Sequence, residues 1–297
     1  MSVGVDFDFA RWIAERRGTV ERQAREGVAY AFIGERKFRR TLASTRPVMI
    51  ALEATTRTWR DKAREELLAN TKISESQYPR VYHAARQAGA ALRVKVPTIF
   101  ATTSPTIGIQ ALGMEDAPYL VVNTTLAEHL DEPSLIAAIG HALGHIQNGH
   151  VLYATALHYL NHSAAFFVRW AVQPAIVTLQ AWSRRAEVTC DRAALLAVKN
   201  LDQALMGIAS VAIGPEKIAT FDAAAFVRDL PDPTVAHKGV GKFAELFRSN
   251  PYIAKRVQAL RWFADSAYFA IAQGQDATGK LSAIDVDKKV ADLISVF

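Results

Sequence analysis

Cysteine occurs once in the 297 residues, at Cys190, which excludes both an internal disulfide framework and a thiolate-rich zinc module. Any metal held here has to rest on histidine and carboxylate. The sequence also lacks a glycine-rich phosphate loop, a nucleophile elbow, a nucleic-acid-binding motif, internal repeats and low-complexity segments. Half of the residues are hydrophobic and 22% are charged, which excludes a disordered chain and suffices for one large domain or two small ones. A clean apolar run of membrane-spanning length, ~20 residues, is missing too. Val151 to Leu196 comes nearest, but it contains His158, Asn161, His162, Arg169, Gln173, Pro174, Gln180, Arg184 and Arg185. A buried helical hairpin is therefore expected there, with an interfacial hairpin as the alternative. The first residues, MSVGVDFDFARWIAERRG, carry acids early and no apolar run of signal-peptide length. The expected compartment is the cytoplasm, with peripheral membrane association as the lesser reading.

The net charge is +6, and residues 1 to 66 hold 14 basic against 10 acidic side chains. Arg11, Arg16, Arg17, Arg22 and Arg25 are interleaved with Glu15, Glu21 and Glu26 at helical spacing. That pattern reads as a solvated helix face, with an anionic-membrane or nucleic-acid patch as the alternative.

Residues 7 to 70 read as two or three helices, the last around TTRTWRDKAREELLAN. A helix from Ser76 to Ala91 is expected to stop at Gly89. Then PTIFATTS, TIGIQALG and PYLVVNTT give three short β-like runs, enough for a small sheet. Asp131-Glu132-Pro133-Ser134 opens a helix, with Asp131 or Ser134 as cap and Pro133 in the first turn. The last third is helical around the loop PDPTVAHKGVG.

The informative string is His141-Ala142-Leu143-Gly144-His145. Histidines at i and i+4 stand one turn apart on one helix face, so both rings can reach a single metal ion. Leu135, Ile139, Leu143 and Ile146 form an adjacent apolar stripe that packs the same helix into a core. Glu187-Val188-Thr189-Cys190-Asp191 follows in a second apolar helix. Glu187 can supply a third ligand, and Asp191, one turn on, can orient a ligand histidine through its far nitrogen. The competing reading pairs Glu187 and Asp191 with Arg184, Arg185 or Arg192.

The segments SLIAAIGHALGHIQNGH and SRRAEVTCDRAALLA resemble the HtpX-like and CAAX-prenyl-protease-like zinc metallopeptidases, a branch of the gluzincins, and the likeness covers roughly residues 76 to 265. It implies an α+β, mainly helical peptidase domain with a small sheet over the zinc-binding helix. It implies Zn2+ as cofactor, His141, His145 and Glu187 as its ligands, and Asp191 as the acid behind them. Residues 66–297 are then the metallopeptidase domain, and residues 1–65, outside the likeness, a helical N-terminal region with a regulatory, cleft-covering or docking role. The implied activity is endoproteolysis of extended polypeptide, with a polypeptide substrate, no nucleic-acid partner and membrane contact not favoured.

Two departures bear on that activity. The family's general-base glutamate stands where this chain has Ala142, and general acid–base catalysis is typically worth ~10²–10⁴-fold. The chain is therefore expected to bind zinc and hydrolyse poorly, as an inactivated form of an active peptidase, an alternative being a natural zinc-binding pseudopeptidase that captures peptides or partners. The second departure is Asn250-Pro251, where the family commonly has His-Pro. Asn250 is either an oxyanion-side donor or the cap of a helix beginning at Pro251, and His237, Tyr252 and Arg256 are further candidates to face the site. The ordinary reading of Arg256 is a surface or loop-bracing cation. The run Thr106 to Leu112 resembles the edge strand that binds extended peptide. His150, on the opposite side of the helix from His141 and after Gly149, is not counted as a ligand, His129, His158 and His162 are read as structural or surface histidines, and Cys190 as a small buried residue.

Overall fold

Apolar and β-branched residues bounded by proline and glycine produce three strands, β2 (Thr98–Thr102), β3 (Ile109–Gly113) and β4 (Pro118–Asn123). A two-residue strand, β1 (Thr71–Lys72), precedes them, and the sheet order is β1-β2-β4-β3. β2 and β4 are parallel with Phe100 opposite Val121, while β3 runs antiparallel to β4 with Ala111 opposite Leu120. The computed structural model describes residues 28–42, 45–56, 71–105, 107–163, 169–233 and 248–295. The helices expected over 7–27 and 57–70, and most of the loop PDPTVAHKGVG, lie outside the described residues.

The helices are α1 (Ile33–Leu42), α2 (Pro79–Leu92), α3 (Thr124–His129), α4 (Glu132–Gln147), α5 (Val151–Ser163), α6 (Arg169–Val198), α7 (Leu201–Ile213), α8 (Ala223–Arg228), α9 (Ile253–Ala264), α10 (Ala267–Ala272) and α11 (Ala283–Ile294), and residues 46–56 are also helical. The architecture is α+β and mainly helical, as the resemblance to the metallopeptidases implies. α2 does not stop at Gly89: the chain leaves the helix only at Arg93, in the left-handed region with φ 55°, and the Gly89 carbonyl accepts the Val94 N–H at 2.9 Å.

α4 is the central element. Asp131 caps it by accepting the Ser134 N–H at 2.9 Å, an interaction worth about 1 kcal/mol. Leu135, Ile139 and Leu143 are fully buried, and the helix packs against α2, α6, α7 and β3. Its approach to α6 needs glycine: a Cβ on Gly144 would stand 2.7 Å from Ala193 Cβ and 3.2 Å from Cys190 Cα, and one on Gly140 2.7 Å from Ala197 Cβ. These close contacts bring the backbone of the histidine-bearing helix against that of the Glu187 helix.

The apolar hairpin of α5 and α6 is buried against the N-terminal segment. Leu42, Val48, Ala51 and Leu52 form one cluster with Ala156, Leu157, Leu160, Ile176, Leu179 and Trp182. Among the described residues, no helix is long and apolar enough to cross a membrane. Residues 28–42 fall in the stretch set apart above as an N-terminal region, yet Val28, Tyr30 and Phe32 belong to the principal core together with Leu135 and Leu143.

Candidate metal centre

His141 and His145 stand one turn apart on α4, and Glu187 meets both from α6. Glu187 Oε2 lies 3.5 Å from His141 Nε2, and Oε1 lies 3.5 Å from His145 Nε2. The imidazole centroids are 5.2 Å apart at an interplanar angle of 64°. Behind His141, Asp191 Oδ1 is 3.0 Å from Nδ1. With that nitrogen donating to the carboxylate, Nε2 carries the lone pair and points at Glu187. Two imidazole nitrogens and a carboxylate converging at the wall of a cavity form a donor set of the kind that holds zinc, so the residues present fit the metal.

The acids are neutralised by Arg256, for which the sequence left open a place facing the site and an ordinary role as a surface or loop-bracing cation. Arg256, on α9, donates from Nε to Asp191 Oδ2 at 2.9 Å and from Nη2 to Asp191 Oδ1 at 2.6 Å, and its Nη1 lies 3.1 Å from Glu187 Oε2. It is buried, so the surface or loop-bracing reading is wrong. The signal was its position: Arg256 shares a helix face with Leu260 and Phe263, both buried. The nearer arginines have other partners. Arg184 donates to the Arg248 carbonyl, Arg185 to the Ala181 carbonyl, and Arg192 pairs with Asp287 at 2.6 Å.

Burial alone would raise the Glu187 carboxyl, but Arg256 and the two histidines outweigh it and hold it well below the usual carboxylate range. Asp191 is lowered in the same way, burial being outweighed by Arg256 and His141. Burial pushes His145 down to about 4, against a partial opposing pull from Glu187. Arg256 is raised, because Asp191 and Glu187 together exceed the burial effect.

A cavity of about 410 Å³ opens over these groups. Its walls include Gly108 to Leu112 on the sheet side, Leu157, His158 and Asn161 from α5, Ile208 and Val211 from α7, and Ser249, Asn250 and Arg256. β3 ends the sheet order. Gly108 O accepts the Asn123 N–H at 2.8 Å, so alternation directs the backbone groups of Gly108, Gln110 and Leu112 to β4 and those of Ile109, Ala111 and Gly113 to the outer edge. The Gly113 N–H on that edge is taken by Thr155 Oγ1 at 3.1 Å. Ile109 and Ala111 remain as the stretch of edge facing the cavity. Thr106 lies outside the described residues.

Asn250 is a cavity residue and not a cap: α9 starts at Ile253 after Tyr252, without a side-chain cap bond, because Pro251 and Tyr252 form an extended entry. Tyr252 lies under Arg248, whose guanidinium carbon is 5.2 Å from the ring centroid, and His237 lies outside the described residues. His129 is exposed and bonded to the Thr125 carbonyl, while His158 lines the cavity. Ala142 is 1% exposed and packed in the principal core. Among the described residues lining the cavity, Glu187 is the sole carboxylate. Cys190 also offers its sulfur within 4.8 Å of donor atoms of His141 and His145. It is fully buried, and burial together with Glu187 and Asp191 raises its thiol well above the ordinary value. The thiol stays protonated, turned to His150 Nδ1 at 3.6 Å.

The model of Peptidase family M48 matches residues 79–264, a span that holds both histidines, Glu187, Asp191 and Arg256. The chain is also similar to the plastoglobule-localized metallopeptidase 48, chloroplastic, of Arabidopsis thaliana, at 28% identity over 140 residues. That match takes in 46% of this chain and 41% of the relative, so this chain spans less than half the length of the curated protein it matches. No solved structure matches.

Proposed function

Because the chain belongs to peptidase family M48, we propose that it carries the site of a zinc endopeptidase for extended polypeptide, deprived of its proton acceptor by Ala142. The observation that carries the reading is the convergence of His141 Nε2 and His145 Nε2 on the two oxygens of Glu187, 3.5 Å each, beside a sheet edge. In this proposal His141, His145 and Glu187 hold Zn2+, which when bound supplies Lewis-acid polarisation of a scissile carbonyl and acidifies a water. Asp191 holds the His141 ring and its tautomer, and Arg256 holds Asp191 and Glu187. Ile109 and Ala111 present backbone donors and acceptors to which an extended peptide can add as a strand. Asn250, on the cavity wall, offers an amide donor to an oxygen that gains charge.

Ala142 can accept no proton, and the cavity offers no second carboxylate among the described residues. The chain as written therefore binds zinc and polypeptide and turns over slowly. That same observation favours a second reading, a zinc-containing pseudopeptidase that captures peptides. A cytoplasmic location is part of the proposal, and contact with a membrane surface is not.

Hydrolysis of an unfolded protein by this chain and by Ala142→Glu, each with and without chelator and with bound zinc measured alongside, separates these readings. Chelator-sensitive activity gained by ~10²–10⁴-fold in the glutamate variant supports the endopeptidase. Zinc bound by both with hydrolysis by neither supports the pseudopeptidase. Absence of zinc from both overturns the ligand assignment.

A further inference from the structure

The N-terminal segment, outside the span matched to the family, reaches the back of the metal centre. Glu35 on α1 is fully buried, an arrangement costly for a carboxylate unless it is engaged. Its Oε1 accepts the Trp182 Nε1–H at 3.1 Å and lies 3.3 Å from His150 Nε2 and 3.6 Å from Arg39 Nε. His150 is also fully buried. Its ring is boxed by Cys190 Sγ at 3.6 Å and by the ring edges of Trp182 and His145, each at a centroid distance of 5.3 Å. Its backbone N–H donates to the His145 carbonyl at 2.9 Å. His150 thus touches His145 through both ring and backbone, and Glu35 lies against the far side of His150, at ion-pair distance from Nε2 but without a hydrogen bond to it.

The same segment clamps the turn that ends α4. Arg39 donates to the carbonyls of Asn148 and Gly149. The Tyr30 hydroxyl donates to Gln147 Oε1 at 2.8 Å and accepts from Asn148 Nδ2 at 3.0 Å. His145 Nδ1 is buried and has no hydrogen-bond partner among the described residues, so no bond of its own sets the ring's orientation, as Asp191 does for His141. Packing must set it, between the His141 ring on one side, at a centroid distance of 5.2 Å, and the His150 ring on the other, at 5.3 Å.

We propose that Glu35 is a positioning residue of the metal centre, acting through His150 on the ring of His145, so that residues 28–42 are part of the metal-binding unit. A leucine at 35 would fill similar volume without a buried charge, which makes Glu35→Leu the informative change. The inference rests on the zinc reading. In the full chain, zinc affinity is measured by competition with a chromophoric chelator, and the d–d spectrum is recorded on the cobalt-loaded form. Groups that orient ligands typically contribute 10–100-fold to metal affinity, and one acting at a further remove is expected at the low end. Glu35→Leu, folded by circular dichroism, should bind zinc about tenfold more weakly with a shifted cobalt spectrum. Glu35→Gln, which keeps an oxygen toward Trp182 and His150, should restore both. Zinc bound by a folded Glu35→Leu within twofold of wild type, with an unshifted spectrum, overturns the proposal and leaves the zinc reading standing. If Glu35→Leu does not fold, His150→Gln decides on the same two readouts, unchanged affinity being the overturning result. Failure of the wild-type chain to bind zinc overturns the zinc reading and this inference together.

Discussion

Arg256 carries the largest electrostatic load at the candidate site, and removing it gives a measurable double signature. Its guanidinium makes three contacts of 2.6–3.1 Å with Asp191 and Glu187, all three residues being buried. Arg256→Met keeps most of the stem and leaves two buried carboxylates without their cation. Breaking a buried pair in this way costs about 3–5 kcal/mol, a large part of the 5–15 kcal/mol that folded domains usually hold. The metal-free variant should therefore unfold at much lower denaturant concentration, while Arg261→Met, exposed on the same helix, should stay within about 0.5 kcal/mol of wild type. Saturating zinc should then return more stability to the Arg256 variant than it adds to wild type, because a dication held by Glu187 takes over part of the work of the guanidinium. Unfolding midpoints with chelator and with zinc, for wild type and both variants, give all the terms. A loss below ~1 kcal/mol in the metal-free variant, or a zinc increment no larger than that of wild type, would refute the reasoning.

Acid should destabilise the metal-free chain earlier than carboxylates alone would. His145 is held down at about 4 from an ordinary 6.5, so below 6.5 the unfolded chain takes the proton first and stability falls until pH reaches the folded value, by up to about 3 kcal/mol. Glu187, Asp191 and Glu35 are all lowered, and their contribution, present above the ordinary carboxylate range, is lost at still lower pH. A denaturation midpoint that stays level between pH 7 and 5 would contradict the His145 part. Gly144→Ala gains helix propensity but drives a methyl into Ala193 and the Cys190 backbone. A net loss of about 1–3 kcal/mol is expected, with weaker zinc binding because Glu187 moves away with α6, and unaltered stability and affinity would show that the two helices can part freely.

The parts of the fold legible in sequence were those with a local cause. The three main strands follow from short apolar runs closed by proline and glycine, and the start of α4 follows from Asp131 and Pro133. The approach of Glu187 to the histidine pair was left open by the residues alone, which also allowed pairing with the neighbouring arginines, and was implied by the resemblance to the metallopeptidases. What escaped was long-range. β1, two polar residues long, has no pattern of its own and exists only because β2 offers it an edge. The acids of α6 have three arginines within five residues, yet their cation comes from α9, 65 residues beyond Asp191. No local spacing rule could choose it, although an arginine on the apolar face of α9 was a visible anomaly. Glu35 and His150 were invisible as a pair for the same reason, since they lie 115 positions apart.

Ala142 shows why these properties separate. The histidines of α4 face the cavity with Ala138, while Ala142 lies 1% exposed in the core. An alanine there raises helix propensity and leaves untouched the groups that brace the metal donors, namely Asp191 and Arg256 on one side and the Glu35–His150 pair on the other. In the proposed reading the metal would be held by contacts between elements, while proton transfer would depend on one side chain that none of those contacts requires. On that proposal, loss of hydrolysis at this position would entail no loss of fold or of zinc binding. A chain lacking the glutamate can persist as a folded, metal-holding protein, which is why bound zinc and turnover have to be measured side by side.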